Sequence, residues 1–323
     1  MTINLNPAMQ RFLHAAAAAG GPPIYMLKPD AAQRVPNPEE AGSADAPAAD
    51  IDERTIPVGP LGSTRIVVVR PQGTRARLPV VMYFHGADWI LGGLDKYQHL
   101  VRDIAQSAHV AVVLVDYHRL LGSPHPVAFD EAYEATKYVA NHAKEFNVDT
   151  AHLAIAGDGV GSNMVAAVSM FAEERCGPPI RFRLLLYAVT GDPLKKCPHI
   201  EFAKGQWLTR YIMKWYWPLW ASFEQLEAQP PALIIADEDN VLTDESEAGS
   251  PTLALSGSTV TGIRSLGDTH DYVVLNGLSD NPVTRGAIAL ASAMLRQELC
   301  KRHDQGCRRH HHRPAMLHGA SPG

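Results

Sequence analysis

Residues 157–161 read Gly157-Asp158-Gly159-Val160-Gly161 and follow directly on the apolar run Leu153-Ala154-Ile155-Ala156. An apolar run closed by glycines and opening into helix-compatible sequence predicts a strand, a tight turn and a helix. A serine at the centre of such a turn projects its hydroxyl from the apex as a nucleophile. Here the centre is Gly159, which brings no atom that could attack a carbonyl carbon. Three other segments carry groups suited to acyl chemistry. His85-Gly86-Ala87-Asp88-Trp89 follows the apolar run 80–84 and offers backbone N–H groups to a developing anion. Residues 236–245 follow the run 233–236 and crowd Asp237, Glu238, Asp239, Asn240, Asp244 and Glu245 together. Gly267-Asp268-Thr269-His270-Asp271-Tyr272 supplies a general base in His270. In chain order these are turn, acid loop, histidine.

Positioning such segments is the work of the elements before them. Apolar runs recur at 66–69, 80–84, 110–115, 153–156, 184–187 and 233–236. Segments of helical spacing lie at 97–107, 128–146, 162–174 and 209–221, and a last helix is predicted over 282–300. Continuous apolar strands alternating with helices imply an α/β fold whose mostly parallel sheet is covered on both faces. The alanine run 15–19 predicts an N-terminal helix over 7–19, because alanine is the best helix former. Residues 28–50 are rich in Pro, Ala, Asp and Glu and read as a loosely packed connector.

Composition narrows the function classes. The chain has 323 residues, 46% hydrophobic and 20% charged, with a net charge of −5. That charge, without a basic stripe through the body, argues against a nucleic-acid partner. No run of eighteen apolar residues is present to span a membrane. The four cysteines (Cys176, Cys197, Cys300, Cys307) form no C-x-x-C pair and read as reduced thiols of a cytoplasmic protein. The body holds no spacing typical of a zinc site, so no metal and no cofactor are expected there. The tail 301–323 is basic and His-rich and reads as disordered; its histidines with Cys307 offer a zinc or nickel ligand set, against the plainer reading of an inert tail.

Taken together, the motifs resemble those of the hormone-sensitive-lipase group of esterases, related to arylacetamide deacetylases. The resemblance covers residues 1–300 and includes Gly20-Gly21-Pro22-Pro23, Val115-Asp116-Tyr117, residues 132–139 and Trp207-Leu208-Thr209. It implies an α/β-hydrolase fold with a mostly parallel eight-stranded sheet and a small helical cap near residues 200–225. It divides the chain into an N-terminal cap helix and connector (1–50), a hydrolase domain (51–300) and the tail. It also implies chain order nucleophile, acid, histidine.

The departures from that pattern fall on the chemistry. The group's G-D-S-A-G is here Gly157-Asp158-Gly159-Val160-Gly161, and the hydroxyl of Ser162, one helical turn on, is not expected at the apex. Its H-G-G-G is here His85-Gly86-Ala87-Asp88, which leaves Gly86, Ala87, Asp88 and Val160 as the oxyanion-binding set, with a carboxylate where negative charge must develop. Aligning the acid loop on Leu242 and Asp244-Glu245 places Asn240 at the acid position, with Asp239 one residue before. From Asn240, restoring the serine alone should return little activity. His270 matches the catalytic histidine. Trp207 and Trp215, with Tyr211, Tyr216, Trp217 and Trp220, form an aromatic cluster that would either roof an apolar ligand pocket or form core beneath a lid, and Trp89 is a further candidate for that pocket.

Two readings follow. In one, the chain is a degenerate esterase homologue, non-hydrolytic or severely impaired, that binds a small apolar ligand or ester; plant gibberellin receptors are an analogy. In the other it is an active carboxylesterase or deacetylase, or an enzyme such as a cyclase, with His270, Asp239 and Tyr272 as acid or base groups. The resemblance also admits a homodimer through the last strand and helix.

Overall fold

The computed structural model describes residues 5–19, 46–86, 97–118, 127–188, 229–239 and 257–301. Eight strands form one sheet: β1 (Ala49–Ile56), β2 (Thr64–Pro71), β3 (Leu78–Phe84), β4 (Ala111–Asp116), β5 (Val148–Asp158), β6 (Phe182–Leu186), β7 (Ala232–Asp239) and β8 (Val260–Thr269). Their spatial order is β1-β2-β4-β3-β5-β6-β7-β8. β1 and β2, and β2 and β4, pair antiparallel; all pairs from β4 through β3 to β8 are parallel. This is the mostly parallel sheet of an α/β-hydrolase fold.

The helices are α1 (Pro7–Ala19), α2 (Gln98–Ala108), α3 (Val127–Asn141), α4 (Val160–Glu174) and α5 (Pro282–Cys300), with a 3-10 turn at Asn276–Leu278. Alternation along the strands divides the core in two. Val80, Met82 and Phe84 of β3 join one apolar layer with Tyr133 and Val139 of α3 and Met164 and Val168 of α4. Val81 and Tyr83 join the other with Met9 of α1, Leu100 and Ile104 of α2, and Ile288 and Leu295 of α5. Both faces of each central strand are buried, which is why these strands read as unbroken apolar runs.

Some boundaries differ from the sequence reading. β1 begins inside the segment read as a connector, and β8 had no predicted counterpart. α3 ends at Asn141, not near 146, because the chain must reverse into β5; Asn147 takes a left-handed φ of 50° to do so. β7 runs on to Asp239, so Asp237 lies within a strand rather than a loop. Helix 209–221, connector residues 28–45 and tail residues 302–323 lie outside the described residues.

The parallel register brings the carboxyl ends of β3, β5, β6, β7 and β8 to one edge. Phe84 lies opposite Gly157, Asp158 opposite Leu186, and Asp239 opposite Thr269. Open α/β sheets bind ligands along such an edge. The turn after β5 passes so near β3 that a Cβ on Gly161 would lie 2.0 Å from the Phe84 carbonyl oxygen. Only glycine fits there.

Candidate functional site

Gly159 stands at the apex between β5 and α4 with φ 49° and ψ −116°. Its N–H donates to the Leu186 carbonyl at 2.8 Å, which ties the turn to the end of β6. Among the described residues, a Cβ at Gly159 would meet only His270, 3.6 Å from Cε1 and 3.7 Å from Nε2. The turn and the histidine, 111 positions apart in the sequence, therefore face each other across the width of one side chain. Val160 opens α4 and is buried. Ser162 is buried as well, and its Oγ lies 3.0 Å from both the Gly157 and Leu186 carbonyl oxygens. That hydroxyl is held between two acceptors inside the turn and does not reach the apex.

His270 is 3% exposed. Its Nδ1 lies 4.0 Å from Asp237 Oδ2, and its Nε2 lies 3.4 Å from Asp271 Oδ1. The Tyr187 ring packs edge-on against the imidazole at 5.4 Å. The Tyr187 hydroxyl accepts the Val273 N–H at 2.6 Å, and burial raises its pKa well above the usual phenol value, so it stays neutral and structural. The sequence reading left Asp237 among the acid-loop carboxylates. It reaches His270 because β7 extends to Asp239 and pairs there with Thr269, one residue before the histidine. An acid of the A-D-E-D-N string at the end of an apolar run was the available signal. Asn240 lies outside the described residues; Asp239 is placed by its backbone alone.

A second set of groups holds the loop after β3. Asp158 Oδ1 accepts the Gly86 N–H at 3.0 Å and the Tyr83 hydroxyl at 2.8 Å, and Oδ2 accepts the Tyr97 hydroxyl at 3.2 Å. A Cβ on Gly86 would lie 2.4 Å from Asp158 Oδ2, so the loop needs glycine to come this close. The Gly86 N–H is thereby committed to the carboxylate, and this residue anchors the loop. Burial, with Asp158 beside it, raises the Tyr83 pKa well above its ordinary value and keeps it a donor. The His85 ring stacks on Tyr117 at 4.4 Å, and the Tyr117 hydroxyl donates to the His85 carbonyl. His85 thus serves the loop's shape. Ala87, Asp88 and Trp89 lie outside the described residues, as do Trp207 and Trp215. Tyr272, named above as an acid or base, has its hydroxyl bonded to Ser265 Oγ, and burial pushes its pKa up. Among the described residues no cluster of three metal-ligating side chains occurs, and no helix is long and apolar enough to cross a membrane.

The histidine loop is also fastened to two helix starts. Asp268 Oδ1 accepts from Asn6 Nδ2 at 2.6 Å and from Asn281 Nδ2 at 3.1 Å. Asn6 Oδ1 in turn accepts the Met9 N–H in the first turn of α1, and Asn281 Oδ1 accepts the Val283 N–H as the N-cap of α5. Burial raises the Asp268 carboxyl from 3.8 to about 6, against the opposing pull of the two amides. Between those values the folded chain keeps a proton that the unfolded chain has lost, so this group's contribution to stability is present in acid and fades as pH rises towards 6. Subtracting the melting temperature of Asp268→Asn from that of the parent should give a difference that falls between about pH 4 and about pH 6 and is level above about pH 7. A difference that rises with pH over this interval would exclude the assignment.

A family profile described as alpha/beta hydrolase fold matches residues 81–274. Carboxylesterase NlhH of Mycobacterium tuberculosis is 32% identical over 244 residues, covering 70% of this chain and 76% of that protein. An esterase of Gibberella moniliformis is 28% identical over 315 residues, covering 91% and 98%. Among solved structures, a thermostable esterase from Pseudomonas putida superposes with a TM-score of 0.86 at 37% identity, covering 94% of this chain and 100% of that one.

Proposed function

The chain belongs to the alpha/beta-hydrolase-fold family, within its esterase-like branch, and we propose that in this family it is a carboxylic-ester-hydrolase homologue without a covalent nucleophile, non-hydrolytic or severely impaired by the serine route, that binds a small apolar ligand or ester. One observation carries the reading: at the apex facing His270 stands Gly159, and the hydroxyl nearest to it along the chain, on Ser162, is held by two backbone carbonyls. The names of the relatives, esterases and carboxylesterases, support an ester or ester-like ligand. Ala87, Asp88 and Val160 complete the proposed oxyanion-binding set around the anchor Gly86. Trp89, Trp207 and Trp215 are the proposed apolar wall. Asn240 and Asp239 remain candidates for the acid beside Asp237.

A cytoplasmic setting goes with this reading, supported by Cys176 and Cys300 as free, exposed thiols. A homodimer through the edge strand goes with it too, supported by Leu266, 64% exposed on β8.

The test uses the purified full chain. A fluorophosphonate probe should leave it unlabelled while an active serine esterase in the same tube is labelled. Native mass spectrometry should detect a retained apolar ester or acid, or its non-covalent uptake. Labelling of the parent chain at any residue would end the reading.

A further inference from the structure

The histidine loop is fastened at its root by a carboxyl group with no cation beside it. Asp268, two residues before His270, is 0% exposed, and its Oδ2 is buried without a hydrogen-bond partner. Its Oδ1 accepts from the side-chain amides of Asn6 and Asn281. Among the described residues no cation pairs with it. Arg285 on α5 is taken by Asp103 at 2.6 Å. Arg11 and His14 on α1, Arg264 on β8 and Asp280 before α5 are exposed. On the far side of the loop, His270 stands beside Asp237 and Asp271, and the Tyr272 hydroxyl is bonded to Ser265. A buried carboxylate in such surroundings is unfavourable, and either a proton or access to water relieves it. The two helix starts that meet at this carboxyl are not equally held. α5 buries Ile288, Leu295 and Leu299 along its length. Among the described side chains of α1 only Met9 is fully buried, with Leu5, Ala8 and Phe12 half-buried. The first turn of α1 depends on Asn6, whose N–H donates to the Gly267 carbonyl at 2.8 Å and whose Oδ1 accepts the Met9 N–H at 2.9 Å.

We propose that Asp268 is a proton-dependent latch between α1 and the end of β8 that carries His270. With its carboxyl neutral, α1 is held in place. With the carboxyl ionised, α1 loosens, and with it the tie to the Gly267 carbonyl, three residues before the histidine. Of the two helices, α1 is the one whose departure lets water in while leaving the core closed. With α1 docked the carboxyl titrates at about 6, and with α1 away and water around it at the ordinary 3.8. The docked form binds the proton more tightly, so acid favours docking. The opening equilibrium rises tenfold for each unit of that difference, about 10²-fold in all, as pH passes from below 4 to above 6. The device works independently of what His270 does to a ligand.

The test is amide hydrogen exchange on the full-length chain between about pH 4 and about pH 7.5, with each rate divided by the intrinsic rate at that pH. In the parent, protection at the N–H groups of Asn6, Met9 and Gln10 should fall by at least about tenfold over that range. Protection in α3, which packs on the other face of the sheet, should stay level. Asp268→Asn keeps an oxygen to accept from Asn6 and Asn281 and cannot ionise, so its α1 should stay equally protected throughout. The parent profile does not depend on any variant folding. Parent protection in α1 that is level with pH, or that rises with it, overturns the latch. So does an Asp268→Asn chain that keeps the parent's pH dependence, which would assign the effect to His270 and its neighbouring carboxylates. A fall shared equally by α3 would be global unfolding and overturns it as well.

Discussion

Gly159→Ser should turn the protein into one that a fluorophosphonate labels at residue 159 and that hydrolyses 4-nitrophenyl acetate about 10²-fold faster than the parent, or more. A serine Cβ at this position sits 3.6 Å from His270 Cε1 and 3.7 Å from Nε2. Its Oγ then comes within hydrogen-bond reach of Nε2 by rotation about one bond. The imidazole has a carboxylate at its other nitrogen, 4.0 Å away. On the acid-loop alignment, with Asn240 in the acid position, a single restored serine would achieve little; Asp237 raises that expectation. The oxyanion side holds it down, because Ala87 and Asp88 stand where the group has glycines. Stability should move the other way. At φ 49° and ψ −116° a serine carries strain of about 1–3 kcal/mol that glycine does not. The variant should therefore melt several degrees below the parent while gaining activity, an exchange often seen where strain and function coincide. A folded variant with neither probe labelling nor a rate increase would mean that the histidine is not placed for proton transfer.

How much of this arrangement is legible in the amino-acid sequence depends on where a residue sits in the sheet. The six apolar runs all correspond to strands with a neighbour on either side, buried on both faces. The two strands without a predicted counterpart, β1 and β8, are the two edges of the sheet. β1 carries Asp50, Asp52, Glu53 and Arg54 in the string ADIDERTI, and β8 carries Gly262, Arg264 and Gly267. Edge strands with one wet side have no need of a continuous apolar run, and charge on them discourages edge-to-edge association. The turn at Gly159 and the histidine that faces it are legible because short motifs mark both segments locally. Asp237 is not. Its approach to His270 follows from a strand that continues past its apolar stretch and from the pairing of Asp239 with Thr269, and a long-range register leaves no mark in local composition. The same holds for Asp158, whose donors among the described residues include Tyr83, Gly86 and Tyr97, more than sixty positions before it.

The identity of the acid is open to a direct experiment once a serine is in place. In the Gly159→Ser background, Asp237→Asn should lower the esterase rate by about 10³–10⁴-fold with little change in the apparent affinity for substrate. An amide at this point cannot stabilise the imidazolium that forms as the serine oxygen attacks. It also offers Nδ1 an N–H, which turns the imidazole to the tautomer whose Nε2 carries the proton and so cannot act as a base. Because Asn replaces Asp atom for atom, packing around this fully buried side chain is preserved. A loss of activity with an unchanged far-ultraviolet spectrum would then be electrostatic in origin. Asp239→Asn in the same background is the matched control: with Asp237 as the partner of His270, it should cost less than about tenfold. The opposite ranking, a large loss at 239 and a small one at 237, would move the acid to the end of β7 and make the 4.0 Å approach of Asp237 a structural contact. If both substitutions were mild, the partner of His270 would have to come from residues after β7.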